Sequence, residues 1–410
     1  MPQHTDLLPR RDFIRKSAFA GLGAGLLPFA RAMNADAAQN RVQRYVTLGK
    51  TDIKMSDISF GSSRLGSDEE NLVHHALDLG INYFDTAESY SWGESETTIG
   101  KALKGKRHKV YIASKTHAGP SDDKASMMRS LEQSLQKLQT DYVDVYFNHA
   151  VNDVNRMKNP EWSEFVALAK KQGKIRYSGM SGHAGNLIEC LDYCTDNNVV
   201  DVYLVAYNFG QDPAFYQRFT RGFDFIARFP KLPLALARAK AKGIGVIAMK
   251  TLMGARLNDM RPFEKGGATY SQAAFRWVLS NPNVDSLIIS MTSKENITEF
   301  VGGSGWKKIS RREVPILKKY ARLNGTSYCR HACNDCAGAC PENVPIADVL
   351  RTRMYATDYE DVRFAKAEYS MLGAGASACL TCSHQSCAGS CTHGLPIEKM
   401  TAPTHELLTV

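Results

Sequence analysis

Between residue 44 and about 302, short apolar runs alternate eight times with helical patterns, a rhythm that few folds can absorb. The runs are Ile58–Gly61, Ile81–Thr86, Val110–Lys115, Val143–His149, Ile175–Ser181, Val200–Asn208, Ile244–Met249 and Ser286–Met291. Segments between them, such as ENLVHHALDLG, KASMMRSLEQSLQKLQTD, EWSEFVALAKKQGK and YSQAAFRWVLSNP, space their apolar residues to fill one face of a helix. A short hairpin pattern, RYVTLGKTDIKMS, precedes the first run. Eight strand–helix repeats predict a (β/α)8 TIM barrel. A doubly wound open sheet is the alternative, and the lack of a Gly-rich turn after the first run speaks against it.

In such a barrel the residues just past the strand C-termini meet at one face. Four polar residues occupy those places: Asp85 closes INYFD, Tyr90 follows at the start of the next helix, Lys115 closes VYIASK and His149 closes DVYFNH. A tyrosine beside a lysine, with an aspartate to hold the lysine and a histidine opposite, can protonate a carbonyl oxygen. Taken singly, each of these residues could merely pack or pair.

The first 37 residues read as a targeting segment. Paired Arg10 and Arg11 precede a Gly/Ala-rich apolar stretch, Ser17 to Ala30, and Ala35-Asp36-Ala37 offers a small-residue cleavage site. The stretch is too short and weakly apolar to span a bilayer well. It resembles a twin-arginine export signal, which implies the twin-arginine machinery as a partner and a periplasmic or otherwise exported location. An ordinary Sec signal or an uncleaved tail is the alternative. No later segment suits a stable membrane span. The net charge of +9 is spread without long basic runs, so it predicts a solvated surface and no nucleic-acid partner.

After residue 303 the texture changes. A helix over about Arg311–Leu323, within a connecting segment 303–328, leads into a cysteine-rich stretch, 329–410. Its two sets are Cys329-x3-Cys333-x2-Cys336-x3-Cys340-Pro341 and Cys379-x2-Cys382-x4-Cys387-x3-Cys391. CAGACPENVPI in the first returns as CAGSCTHGLPI in the second. The ending Cys333 to Pro341 resembles a two-cluster bacterial ferredoxin, in which the fourth cysteine of each set binds the other cluster. That resemblance implies a small, mainly helical ferredoxin-like domain with two [4Fe–4S] clusters. Cys329, Cys333, Cys336 and Cys391 would hold one, and Cys379, Cys382, Cys387 and Cys340 the other. Two zinc ions or four disulfides are the alternatives. Cys190 and Cys194 stand apart and read as small buried helix residues.

The blocks INYFDTAESY (81–90) with Glu94, Glu96 and Gly100, then Ala113-Ser114-Lys115, Asp141 through His149, and GKIRYSGMS (173–181) resemble the aldo-keto reductase family. The resemblance covers residues 44 to about 302, and a branch of that family carries a C-terminal iron–sulfur extension. It implies hydride transfer between NADP (or NAD) and a small carbonyl or alcohol substrate. Tyr90 would be the general acid, Lys115 would lower its pKa, Asp85 would hold Lys115, and His149 would direct the carbonyl oxygen and help donate a proton. By the same resemblance Gly61, Ser62, Ser181, Met249, Lys250, Leu252, Gly254, Ser290, Thr292, Asn296 and Glu299 would hold the cofactor. Gly182 and Leu204 replace the usual amide side chains, Met249 replaces the usual stacking aromatic, and Lys294 is the cation nearest the adenine end. Trp92, His117, Asn148 and Tyr207 are candidates for the substrate pocket by position. The competing reading is an iron–sulfur electron-transfer or partner-docking protein that keeps the barrel as a scaffold, with an electron-transfer partner.

Overall fold

The computed structural model describes residues 40–210, 231–254, 257–264, 267–305 and 309–409. The targeting segment read over residues 1–37 lies outside them. Val42–Val410 forms one compact unit. It begins with an antiparallel hairpin, β1 (Tyr45–Thr47) and β2 (Lys54–Ser56). Eight parallel strands follow: β3 (Ile58–Gly61), β4 (Tyr83–Asp85), β5 (Tyr111–Thr116), β6 (Val143–Asn148), β7 (Ile175–Gly182), β8 (Val202–Ala206), β9 (Gly245–Met249) and β10 (Ser286–Ser290). They pair in chain order, and β10 closes the barrel by pairing with both β9 and β3. Each strand is a nearly continuous apolar run because both of its faces are buried.

Alternate residues serve the two faces. Tyr83, Ala113, Val145, Phe147, Val202, Leu204, Ile247 and Ile288 fill the interior. Their neighbours Phe84, Ile112, Tyr146, Tyr203, Val205 and Leu287 pack outward against the helical ring. Leu48, Ile53 and Met55 of the hairpin join the inner cluster and plug the N-terminal end of the barrel. Gly49 makes that close approach feasible: its φ is +55°, and a Cβ there would meet the Gly245 nitrogen at 2.4 Å. The surrounding helices start at sequence-coded caps. Asp123 accepts from the Ser126 amide, Asn159 from Glu161, Thr269 from Gln272 in a capping box, and Ser293 from Asn296.

The segment expected to connect two domains is instead part of the barrel. In the helix Val314–Asn324, Ile316, Leu317 and Tyr320 belong to the main core, and the Tyr320 ring stacks on Tyr270 with centroids 4.3 Å apart. A buried Arg276–Glu313 ion pair ties its start to the helix Tyr270–Leu279. The outer layer therefore runs on to Asn324, held by side chains whose partners lie far back in the sequence.

Beyond Tyr328 no strand occurs among the described residues. The helices Ile346–Thr357, Val362–Ser370 and Thr401–Thr409 enclose a small core of Val349, Ala356, Ala365, Tyr369, Ala376 and Leu408. A second cluster, Ile346, Leu350, Leu395 and Ile397, is lined by Cys329, Cys336, Cys340, Cys387 and Cys391. No helix among the described residues is long and apolar enough to cross a membrane.

Candidate active site

Strand register places the four polar side chains. Tyr83, Ala113 and Phe147 face the barrel interior, so Asp85, Lys115 and His149, each two residues further on, share that face at its C-terminal mouth. Tyr90 arrives from the turn Tyr90–Gly93, in which Ser91 and Trp92 hold positive φ angles of 47° and 60°. The Lys115 ammonium then makes three contacts. Its Nζ donates to Asp85 Oδ2 at 2.7 Å, to the Thr86 carbonyl at 2.6 Å and to the Tyr90 hydroxyl at 3.3 Å. It also stands 4.5 Å from the centre of the Tyr90 ring. The His149 ring meets Tyr90 edge-on, with centroids 5.5 Å apart. The four residues expected to converge do so.

The lowering of the Tyr90 pKa expected from Lys115 is opposed here by burial. Burial pushes the Tyr90 phenol well above its ordinary value, and the negative charges of Asp85 and Glu368 push the same way. The lysine contact favours phenolate locally, but loss of solvent outweighs it. Tyr90 is therefore a protonated acid at neutral pH. Burial raises Asp85 and lowers Lys115, and their mutual attraction opposes both shifts. Burial, with His117 and Lys115 adding like charge, holds His149 well below the usual imidazole range. His149 is neutral, so it can offer a hydrogen bond to a carbonyl oxygen and is a poor proton source.

Arg156, which the sequence did not single out, fixes this wall. Its guanidinium donates to the carbonyls of Ala118, Ala150 and His149 and to Asn148 Oδ1, at 2.7, 3.1, 2.9 and 2.6 Å. It thereby ties together the loops that follow β5 and β6. Glu88 holds the β5 end from the other side, accepting from Thr116 Oγ1 and the His117 amide. Of the residues proposed for the substrate pocket, none lines the cavity. Asn148 is held by Arg156 and the Ala118 carbonyl, and the His117 ring packs against that of His149 at a tilt, with centroids 4.4 Å apart. Tyr207 is buried against Trp277 on the outer side, and Trp92 is 55% exposed.

A cavity of about 290 Å³ runs from Asp85, Tyr90, Lys115 and His149 across the mouth to Thr292 and Asn296. Gly61, Ser181, Met249, Lys250, Leu252, Gly254 and Ser290 lie on its wall, as expected for cofactor contacts. Two of the expected residues do not. Ser62 turns its hydroxyl to the Asp85 carbonyl and to Ser95, and Glu299 accepts from Thr269 on the helical layer. Polar groups at both ends, a cation between them and the bare backbone of Gly254 make a donor set suited to a nicotinamide dinucleotide. Arg64, absent from the expected set, also lines the wall, and Lys294 does not. Its neighbour Ser63 bonds Ser290 at 2.6 Å, which places it on the β3/β10 side of the cavity.

The far wall comes from the C-terminal region: Tyr355, Tyr359, Asp361, Phe364 and Glu368. Lys250 Nζ lies 3.2 Å from the Tyr355 hydroxyl and 4.7 Å from that ring's centre. Burial pulls the Lys250 ammonium down to about 8. No periodicity marks these residues, because their role depends on where a distant helix docks.

The cysteines converge in two sets. Cys329, Cys333, Cys336 and Cys391 line one small cavity. Burial raises the Cys387 thiol, and Cys379, Cys340 and Cys382 are the neighbours whose charge acts on it. None of the eight is in a disulfide. Among the described residues no three His, Cys, Asp or Glu side chains close around a single metal ion.

Comparison with known proteins yields a consistent set of relatives. The model of the aldo/keto reductase family matches residues 57–321. An uncharacterized oxidoreductase of Bacillus subtilis (strain 168), YqkF, is 25% identical over 300 residues, covering 67% of this chain and 95% of its own. L-galactose dehydrogenase of Arabidopsis thaliana is 27% identical over 293 residues, covering 62% and 86%. The holo form of aldo-keto reductase AKR11C1 from Bacillus halodurans superimposes with a TM-score of 0.53 at 23% identity, over 67% of this chain and 95% of that one. At that identity the likeness speaks for the fold.

Proposed function

The chain belongs to the aldo/keto reductase family, and from that premise we propose that its barrel interconverts a small carbonyl compound and its alcohol. It is an NAD(P)-dependent oxidoreductase by that kinship. A nicotinamide cofactor, when bound, supplies or accepts the hydride. Ser181, Met249, Lys250, Gly254, Ser290, Thr292 and Asn296 would hold it along the cavity, and the Lys250 ammonium suits an anionic linkage between two sugars. In reduction His149 orients the carbonyl oxygen, and Tyr90 gives it a proton as negative charge develops there. Lys115, fixed by Asp85 and Thr86, stabilises the phenolate left behind. Oxidation of the alcohol reverses these roles. The observation that carries this reading is the Lys115 ammonium bonded at once to Asp85 and Tyr90. The choice of NADP over NAD rests on the kinship with the aldo/keto reductases.

We further propose that the C-terminal region holds two [4Fe–4S] clusters and that the protein is exported by the twin-arginine route after loading. The arrangement of Cys329, Cys333 and Cys336 beside Cys391 supports the crossed assignment of ligands read from the sequence. Protein purified without oxygen should be brown and bleach on reduction. A colourless protein with stoichiometric zinc would reject the clusters. The cofactor content of the same preparation tests the barrel. Bound nicotinamide, or tight uptake of NADPH, supports the enzyme. A protein that cannot be loaded supports the competing scaffold reading.

A further inference from the structure

The helix Val362–Ser370 lies over the mouth of the barrel, and its contacts there are specific. Asp361 caps it by accepting from the Phe364 amide at 3.0 Å. The Arg363 guanidinium sits 3.8 Å above the ring of Trp92, two residues from Tyr90. The Phe364 ring meets Tyr355 edge-on at 4.8 Å. On its other side Tyr369 is locked by the Ala376 amide and by His405 Nδ1, each at 2.7 Å. Phe364 and Glu368, one helical turn apart, both face the cavity.

Glu368 is the unusual member of this wall. Its carboxylate makes no hydrogen bond or ion pair among the described residues, although Lys250 and Arg156 act on it electrostatically and it acts on Tyr90. Burial raises it to about 7. A carboxylate kept open to a cavity with aromatic walls has a use when the ligand brings hydroxyl groups. An apolar ligand would strip its water and return nothing. The rings of Phe364 and Tyr359 suit the C–H faces of a short polyol chain.

We propose that the C-terminal region completes the substrate compartment and that Glu368 selects hydroxylated, sugar-type carbonyl compounds by accepting a hydrogen bond from a substrate hydroxyl. This rests on the oxidoreductase reading above. Above about pH 8, where Glu368 is ionised, removing this acceptor from a substrate hydroxyl costs about tenfold or more in discrimination, and the test is read there. The test uses full-length, cofactor-loaded protein and Glu368→Gln, which alters no bonded partner, with glyceraldehyde and butanal as probes. In wild type kcat/KM should favour glyceraldehyde, and in Glu368→Gln the glyceraldehyde-to-butanal ratio should fall at least about tenfold, mainly through KM. An unchanged ratio, or a loss confined to NADPH affinity, overturns the role of Glu368 and leaves the oxidoreductase reading standing. Wild-type protein that binds NADPH yet reduces neither probe nor any other aldehyde or ketone overturns both.

Discussion

The barrel mouth and the cysteine-rich region place their functional groups by opposite means. At the mouth, Asp85 and Lys115 sit on two strands and His149 directly follows a third, and the register of all three is set by a closed hydrogen-bond ladder and a packed interior. Asp85 and Lys115 hold each other without help from any ligand. In the C-terminal region seven of the eight thiols sit on loops and Cys379 on the short 3-10 turn Ser377–Leu380, around clusters of only a few apolar side chains. On the cluster reading proposed above, position there would be specified by what the sulfurs bind. The first arrangement is preorganised by folding, whereas the second, if the proposed clusters are bound, would couple folding to ligation.

The sharpest way to break this comparison is to remove Lys115. Lys115→Met leaves Asp85 buried and unpaired, which should cost about 3–5 kcal/mol in urea unfolding and abolish turnover. The double variant Asp85→Asn/Lys115→Met should recover much of that stability and none of the activity. A single variant as stable as wild type would show that the pair is not built into the folded core.

On the cluster proposal, stripping iron should have a smaller and more local effect. Chelation with an oxidant should loosen residues 329–409, read as faster amide exchange there, while the barrel ladder remains protected. Since Tyr355, Phe364 and Glu368 line the cavity, substrate KM should rise with it. Equal loss of protection in both regions would erase the distinction drawn here.

The smallest expected effect concerns acid. Burial lowers His117 from 6.5 to about 4. Between those values the unfolded chain binds a proton that the folded chain refuses, so this histidine's contribution to stability is lost as pH falls through that window. Glu368, raised from 4.5 to about 7, works in the opposite sense: the folded chain binds the extra proton and gains stability as pH falls through that range. The measurement is therefore a difference, with His117→Asn flattening the acid limb relative to wild type by at most about 2 kcal/mol for a partly exposed ring. Parallel curves would show that His117 titrates normally.

The barrel was readable in the sequence because parallel strands buried on both faces leave continuous apolar runs, and loops reset the pattern between them. Ends were less sharp. Ile81–Thr86 narrows to Tyr83–Asp85, and Val200–Asn208 to Val202–Ala206, since apolar residues persist past the last ladder bond. The tetrad was readable because its members close those runs. Arg156, Arg64 and Glu368 were not, because nothing local distinguishes a surface arginine from one whose guanidinium clamps two loops. Likewise no periodicity tells that the helix Val362–Ser370 docks on a site some 280 residues back, beside Tyr90 and Trp92. The pairing of Cys391 with the first cysteine set was implied by resemblance, and the fold brings those residues together.

The most direct measurement is aldehyde-dependent oxidation of NADPH by wild type and Tyr90→Phe side by side, with NADPH affinity measured on both. Loss of the positioned acid should lower kcat by about two to four orders of magnitude while the NADPH dissociation constant stays the same. A Tyr90→Phe protein that turns over at near wild-type rate would contradict the account.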